Sequence, residues 1–162
     1  MIAQAWSSAL IDMDDLDRRI LRALQNNNRL SFAEMADVVG SSAASCLRRV
    51  KRLRAAKAIL ADVCILSPQI SEQNLIVIVN VELERERLDL VDEFKKAMKL
   101  AEEVTQCYMV TGDSDFVLIV SVKDIAAFDH FVKTKLYSNP NVRKFRSMIN
   151  IDRVKFETKI NI

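Results

Sequence analysis

The chain has 162 residues, half of them hydrophobic and 28% charged, with a net charge of +2. That is enough for one domain or two small ones, and the composition is that of a core-forming chain rather than a disordered one. Two glycines 72 residues apart, Gly40 and Gly112, exclude a Walker A loop and a dinucleotide fingerprint, which need closely spaced glycines.

Three cysteines, 18 and 43 residues apart, and a single histidine, His130, give no ligand spacing for a metal, so no metal site is expected. An odd number of dispersed cysteines suits a reducing compartment. Met1–Leu10 has neither a charged n-region nor an adequate apolar run. The longest apolar runs, Leu75–Val79 and Phe116–Val120, are far short of the ~20 residues that span a bilayer. The expectation is a cytoplasmic protein without a membrane partner. No nucleophile–base pair, metal cluster or cofactor loop is visible, so neither catalytic residues nor a cofactor are expected and the chain does not read as an enzyme. Charge is unevenly placed: residues 1–66 carry +3 and residues 67–162 carry −1. Within residues 48–57, Arg48, Arg49, Lys51, Arg52, Arg54 and Lys57 form an acid-free block, which points to a polyanion.

After a tail over residues 1–12, the first helix begins at Asp14, which can cap it, with Asp17 three residues on. Leu16, Ile20, Leu21 and Leu24 make its apolar stripe, and Asn26-Asn27-Asn28 stops it. Ser31-x-x-Glu34 is a capping box for a second helix with Phe32, Met35, Ala36 and Val39 apolar. Gly40 ends it, and Ser41 or Ser42 caps a third helix, Ala43 to about Ala56, with Cys46, Leu47, Val50 and Leu53 on one face. Ala61–Leu66 reads as a short strand, and Pro68 marks a linker. The pattern then changes to strand Leu75–Leu83, helix Leu88–Leu100, strands Val104–Val110 and Phe116–Val122 joined by a Gly turn at residues 111–115, helix Asp124–Tyr137, a turn at Asn139-Pro140-Asn141, and strand Val142–Val154. Strand Val142–Val154 has Phe145, Ser147, Ile149 and Ile151 on one side. The order β-α-β-β-α-β is that of the ferredoxin-like fold. The expected class is therefore α+β, with a winged-type helix-turn-helix domain over residues 13–60, a linker strand and hinge over 61–74, and a ferredoxin-like domain over 75–162.

Two capped helices around a Gly turn, the second one basic, make a helix-turn-helix. A charge run alone is most often a solvated face, but here it coincides with that motif and points to double-stranded DNA. The first half of a recognition helix reads base edges, which gives Ser42, Ala43, Ala44, Ser45, Arg48 and Arg49 as candidate readers. Arg can bond a guanine edge in bidentate fashion, and Ala can touch a thymine methyl. Lys51, Arg52 and Arg54 lie further along and suit phosphates.

In the second half, both helices of a split βαβ fold pack on one sheet face. Strand Leu75–Leu83 has Val77, Val79, Val81 and Leu83 on one side and Ile76 and Ile78 on the other, and Phe116–Val122 sets Phe116, Leu118, Val120 and Val122 against Val117 and Ile119. Both faces are therefore apolar, another subunit's sheet is the simplest cover and a homodimer is expected. Gly112–Asp115 is the best small-molecule candidate. Free N–H groups of a Gly turn can bond a carboxylate, and Asp113 or Asp115 can accept from an ammonium. Both carboxylates could equally cap the hairpin. Cys46 and Cys107 read as packing residues rather than redox sensors, and His130 as a surface or interface residue.

Three stretches resemble the Lrp/AsnC (leucine-responsive/asparagine regulator, feast/famine) transcription factors. Asp14-Asp15-Leu16-Asp17-Arg18-Arg19-Ile20-Leu21-Arg22-Ala23-Leu24-Gln25 is similar to the family's opening, Cys46-Leu47-Arg48-Arg49-Val50-Lys51-Arg52-Leu53 to its recognition helix, and Gly112-Asp113-Ser114-Asp115-Phe116 to its G-x-x-D-[YF] motif. The resemblance implies a C-terminal RAM domain that dimerises, often assembles into octamers and binds amino acids between dimers. It also implies that Thr111, Gly112, Asp113, Asp115 and Ser147 contribute to an effector site for a small amino acid. An effector-independent, nucleoid-like architectural protein is the alternative the resemblance permits. The chain departs from the family at Ser42-Ala43, where Ser-Pro is frequent, and at Ala56-Lys57-Ala58, where a Gly commonly follows the recognition helix.

Overall fold

The computed structural model describes residues 12–67, 70 and 75–162. The tail over residues 1–11 and the hinge positions 68, 69 and 71–74, including Pro68, lie outside the described residues. The described residues up to Cys64, joined by Lys155–Ile162, form one compact unit, and Ile65–Val154 form the other.

The first unit is built from α1 (Asp15–Asn26), α2 (Phe32–Val39) and α3 (Ala43–Ala55). Each helix starts where a side chain takes up an orphan N–H group. Asp14 and Ser31 form reciprocal capping boxes with Asp17 and Glu34, and Ser42 accepts from Ser45 N at 3.2 Å. Gly40 ends α2 with φ +65°, a left-handed conformation that costs a side chain ~1–2 kcal/mol. Ile20, Met35, Val39, Cys46, Val50 and Leu53 fill the core between the three helices. The end of α3 closes in a Schellman motif. Ala58 N donates to Leu53 O at 2.9 Å and Lys57 N to Arg54 O at 3.0 Å. Lys57 holds the left-handed position, φ +57°, which glycine most often fills in this motif.

The expected strand over 61–66 is not formed, since residues 61–67 belong to no strand. The end of the chain, Lys155–Ile162, is grouped with the helical unit. Gln25 and Ile160 exchange two hydrogen bonds, of 2.7 and 3.1 Å, and Ile162 packs on the helical core.

The second unit is a four-stranded antiparallel sheet of β1 (Leu75–Leu83), β2 (Val104–Met109), β3 (Phe116–Val122) and β4 (Val142–Ile149) in the order β2-β3-β1-β4. That is the ferredoxin-like order, with α4 (Leu88–Leu100) and α5 (Ile125–Phe131) as its helices. Strict alternation along β1 and β3 puts Val77, Val79, Val81, Phe116, Leu118 and Val120 into one core with Phe94, Met98, Phe131 and Leu136 from the helical segments. Phe94 and Phe116 meet with ring centroids 4.8 Å apart. The other face carries Ile76, Ile78, Val117 and Ile119, all half-buried, with Tyr108 and Met148 more exposed beside them.

One expected strand is shorter than its sequence pattern, and one expected helix changes type along its length. Strand β4 stops at Ile149, which pairs with Val77, and Asn150 N adds one further bond to Ile76 O at 2.9 Å. The helix expected over 124–137 turns π-helical at Val132–Tyr137, where the Thr134 hydroxyl donates back to the His130 carbonyl.

Candidate nucleic-acid interface and effector turn

The recognition helix α3 presents two different surfaces. Cys46, Val50 and Leu53 face the core. Ala43, Ala44, Arg48 and Lys51 are exposed, with Ser45 half-buried beside them. Leu47, expected on the inner face, is 36% exposed. It lies one turn after Ala43 and Ala44, so the start of α3 offers a small apolar surface next to the Arg48 guanidinium. The i, i+3 spacing of Leu47 to buried Val50 places it at the edge of the core face, so the sequence pattern does not set it apart.

Arg49 and Arg52 point elsewhere. Asp17 on α1 is fully buried, and its carboxylate accepts from Arg49 Nη1 at 2.9 Å and from Arg52 Nη2. Arg49 Nη1 also reaches the Asp14 carboxylate at 2.7 Å. The Asp17 N–H and Arg49 together hold the Asp14 carboxyl down at about 2, and Asp17, then Asp14, hold the Arg49 guanidinium above its ordinary value. A buried carboxylate bonded to two guanidinium groups is costly to break from one side, ~3–5 kcal/mol when a partner is removed. The signal for Asp17 was present in the sequence. Positions 17, 20, 21 and 24 form one helical stripe, and an acid on an apolar stripe needs a buried partner.

In the sheet unit, the turn after β2 is closed by Val110 N donating to Asp115 O at 2.9 Å. Gly112 sits at φ +116°, with open space where a Cβ would be, so its need is conformational rather than steric. Asp115 is anchored twice to β1: its N–H donates to Val81 O at 2.9 Å, and its Oδ2 accepts from Leu83 N at 2.6 Å. Thr111, Gly112 and Asp113 are exposed. A second anchor, absent from the expected site, holds the neighbouring loops at this end of the sheet. Buried Asn141 bonds both Arg85 N and Arg85 O at 3.1 Å, while its own carbonyl accepts from Glu84 N at 2.8 Å.

Residues 13–54 match the AsnC-type helix-turn-helix domain, and residues 76–160 match the Lrp/AsnC ligand binding domain. The chain belongs to the Lrp/AsnC family of transcriptional regulators. It is 45% identical over 145 residues to an HTH-type transcriptional regulator of Sinorhizobium fredii, covering 90% of this chain and 86% of that one. It is 32% identical over 151 residues to the leucine-responsive regulatory protein of Escherichia coli, covering 93% and 92%. Among solved structures it resembles a Neisseria meningitidis transcriptional regulator in complex with L-Met, with TM-score 0.85, 31% identity and coverage of 93% and 97%. An AsnC family regulator of Agrobacterium tumefaciens gives TM-score 0.86 at 31% identity, covering 92% and 97%.

For this Lrp/AsnC regulator the structure brings Ser42, Ala43, Ala44, Ser45, Arg48 and Lys51 together along one side of α3, and turns Arg49 and Arg52 toward Asp17. Around the turn it gathers Thr111, Gly112, Asp113 and Asp115. Ser147 does not join them within one chain. It pairs with Val79 on β4, whereas Asp115 bonds Leu83 on the other side of β1, an offset of four residues or roughly 13 Å along the strands. Cys46 is buried in the helical core as expected, whereas Cys107 is exposed because β2 is an edge strand. His130 is exposed. Among the described residues no cluster of His, Cys, Asp and Glu could hold a metal, and no helix is long and apolar enough to cross a membrane.

Proposed function

We propose that this regulator reads duplex DNA with the start of α3 and that a small amino acid, bound at the 111–115 turn, changes its assembly or its DNA affinity. On the DNA side, Ser42, Ala43, Ala44, Ser45 and Leu47 let the helix approach the major groove closely. Arg48 supplies the bidentate base contact and Lys51 a phosphate contact. Arg49 and Arg52 stand behind them in the Asp17 cluster.

The observation that carries the effector reading is the division of labour between two carboxylates. Asp115 is occupied by Leu83 N, which ties the turn to β1. Asp113 is exposed on that turn, beside the backbone of Gly112. The ammonium of an amino acid suits Asp113, and its carboxylate suits the N–H groups of the turn. The L-Met bound by the Neisseria relative supports this ligand class. Because Ser147 lies away from the turn in one chain, a site using both draws them from two copies. The apolar sheet face of Ile76, Ile78, Val117 and Ile119 supports a homodimer, and dimers meeting at their turns would build the larger assembly, an octamer in the family's manner. Such a protein works in the cytoplasm, needs no cofactor or metal, and catalyses no reaction.

Isothermal titration with a panel of amino acids tests the effector, paired with fluorescence anisotropy on DNA with and without each one. A saturable heat from one amino acid together with a shifted DNA affinity supports the reading. DNA binding with no heat from any of them favours the architectural alternative.

A further inference from the structure

Apart from Arg54, which pairs with Asp62 at 2.8 Å, the cations of α3 fall into two sets by what they touch. Arg48 and Lys51 are exposed and form no ion pair among the described residues. Arg49 and Arg52, one turn apart, both reach Asp17, whose side chain is fully buried, although the Arg52 side chain itself is 50% exposed. Arg49 is only 21% exposed, and its Nε is buried without a hydrogen-bond partner. A guanine edge is read by two aligned N–H groups of a guanidinium. Arg49 has Nη1 committed to two carboxylates and Nε enclosed, so that fork is not presented outward.

Withholding cations has a consequence for recognition. Phosphate contacts raise affinity for every sequence alike, so each one adds to non-specific binding without adding discrimination. We propose that Asp17 is a positioning residue for DNA recognition: its buried carboxylate holds Arg49 and Arg52 against α1, which sets the seat of α3 and keeps their charge away from the phosphates, so that Arg48 reads bases against a lowered non-specific background. This rests on the reading of α3 as the DNA-reading helix and adds a residue from another helix to it.

The test uses the full chain and two probes: a duplex selected by the wild type from a random-sequence pool, and an unselected random duplex. Asp17→Asn keeps the shape and removes the charge. It should steepen the dependence of log affinity on log salt for the random duplex by about 0.9 for each cation released. It should also tighten random-duplex binding and lower the selected-to-random affinity ratio severalfold. A folded Asp17→Asn protein with wild-type slope and ratio overturns the proposal. Arg49→Met, which keeps the aliphatic stem and leaves the Asp17–Arg52 pair, is the second variant and decides alone if Asp17→Asn does not fold. It should leave the salt slope unchanged and flatten the preference at no single base pair, whereas Arg48→Ala flattens one. Loss of one base preference, or of about one unit of slope, in Arg49→Met makes Arg49 a DNA contact and overturns the proposal. A wild type that selects no sequence removes the underlying reading instead, and the two failures are told apart by that selection step.

Discussion

The carboxylate of Asp115 accepts a 2.6 Å hydrogen bond from the backbone N–H of Leu83, the last residue of β1. This bond ties the turn after β2 to a central strand and leaves Asp113, two residues earlier, as the outward acid. The two aspartates should therefore fail differently. Asp115→Ala leaves the Leu83 N–H unpaired and should destabilise the sheet unit by about 1–3 kcal/mol in urea unfolding. Asp113→Ala should leave stability and effector-free DNA binding unchanged and abolish the amino-acid response in anisotropy titrations. A Asp113→Ala protein that responds like wild type would clear Asp113 of the role.

Arg48 and Lys51 should separate base reading from phosphate contact. Arg48→Ala should cost about 1–3 kcal/mol on the selected duplex and relax preference at one position. Lys51→Ala should weaken binding to all duplexes about equally. Equal selected-to-random ratios for Arg48→Ala and wild type would mean that the base contacts lie elsewhere on α3.

Lys57 closes the Schellman motif of α3 with φ +57°. A left-handed side-chain residue costs ~1–2 kcal/mol, partly offset in glycine by its freer unfolded chain. Lys57→Gly should raise the stability of the helical unit by about 0.5–1 kcal/mol, read as a higher melting temperature, and Lys57→Val should lower it.

The acid limb of stability should report on Asp14. Its folded carboxyl, about 2, lies below the unfolded value of about 3.9, so its contribution is complete above pH 4 and is lost as pH falls toward 2. Glu34, held low by the Ser31 side chain and backbone, acts in the same direction. Helical circular dichroism followed from pH 5 to 2 should show Asp14→Asn less stable than wild type at pH 5, with the gap closing toward pH 2. A gap that stays constant would show that the Asp14 charge contributes nothing.

The outward sheet face should carry the dimer. Ile119 pairs with Ile78 at its centre. Ile119→Glu puts a charge where apolar surface is to be covered and should weaken association on the order of a hundredfold, about 3 kcal/mol. Sedimentation velocity should show the variant as monomer at micromolar concentration. A wild type that is itself a stable monomer there would remove the dimer and leave the apolar face without a partner.

Local chemistry written in short stretches of chain determined much of this protein. Caps at Asp14, Ser31 and Ser42, the left-handed Gly40, and the change from helical to alternating periodicity after Pro68 are each set by residues within a few positions of one another. They sufficed for two domains, the helix-turn-helix and the βαββαβ order. Three-dimensional proximity decided the rest. Whether an arginine of α3 faces DNA or the protein depends on Asp17, 32 residues away on α1. Whether Asp113 or Asp115 is available depends on which one meets Leu83, on a strand that precedes both. β4 ends at Ile149, opposite Val77 of β1, although its own pattern is apolar through Ile151. A charged or hydrogen-bonding side chain takes its role from the partner that folding brings to it, and that partner is set by long-range packing rather than by neighbours in sequence.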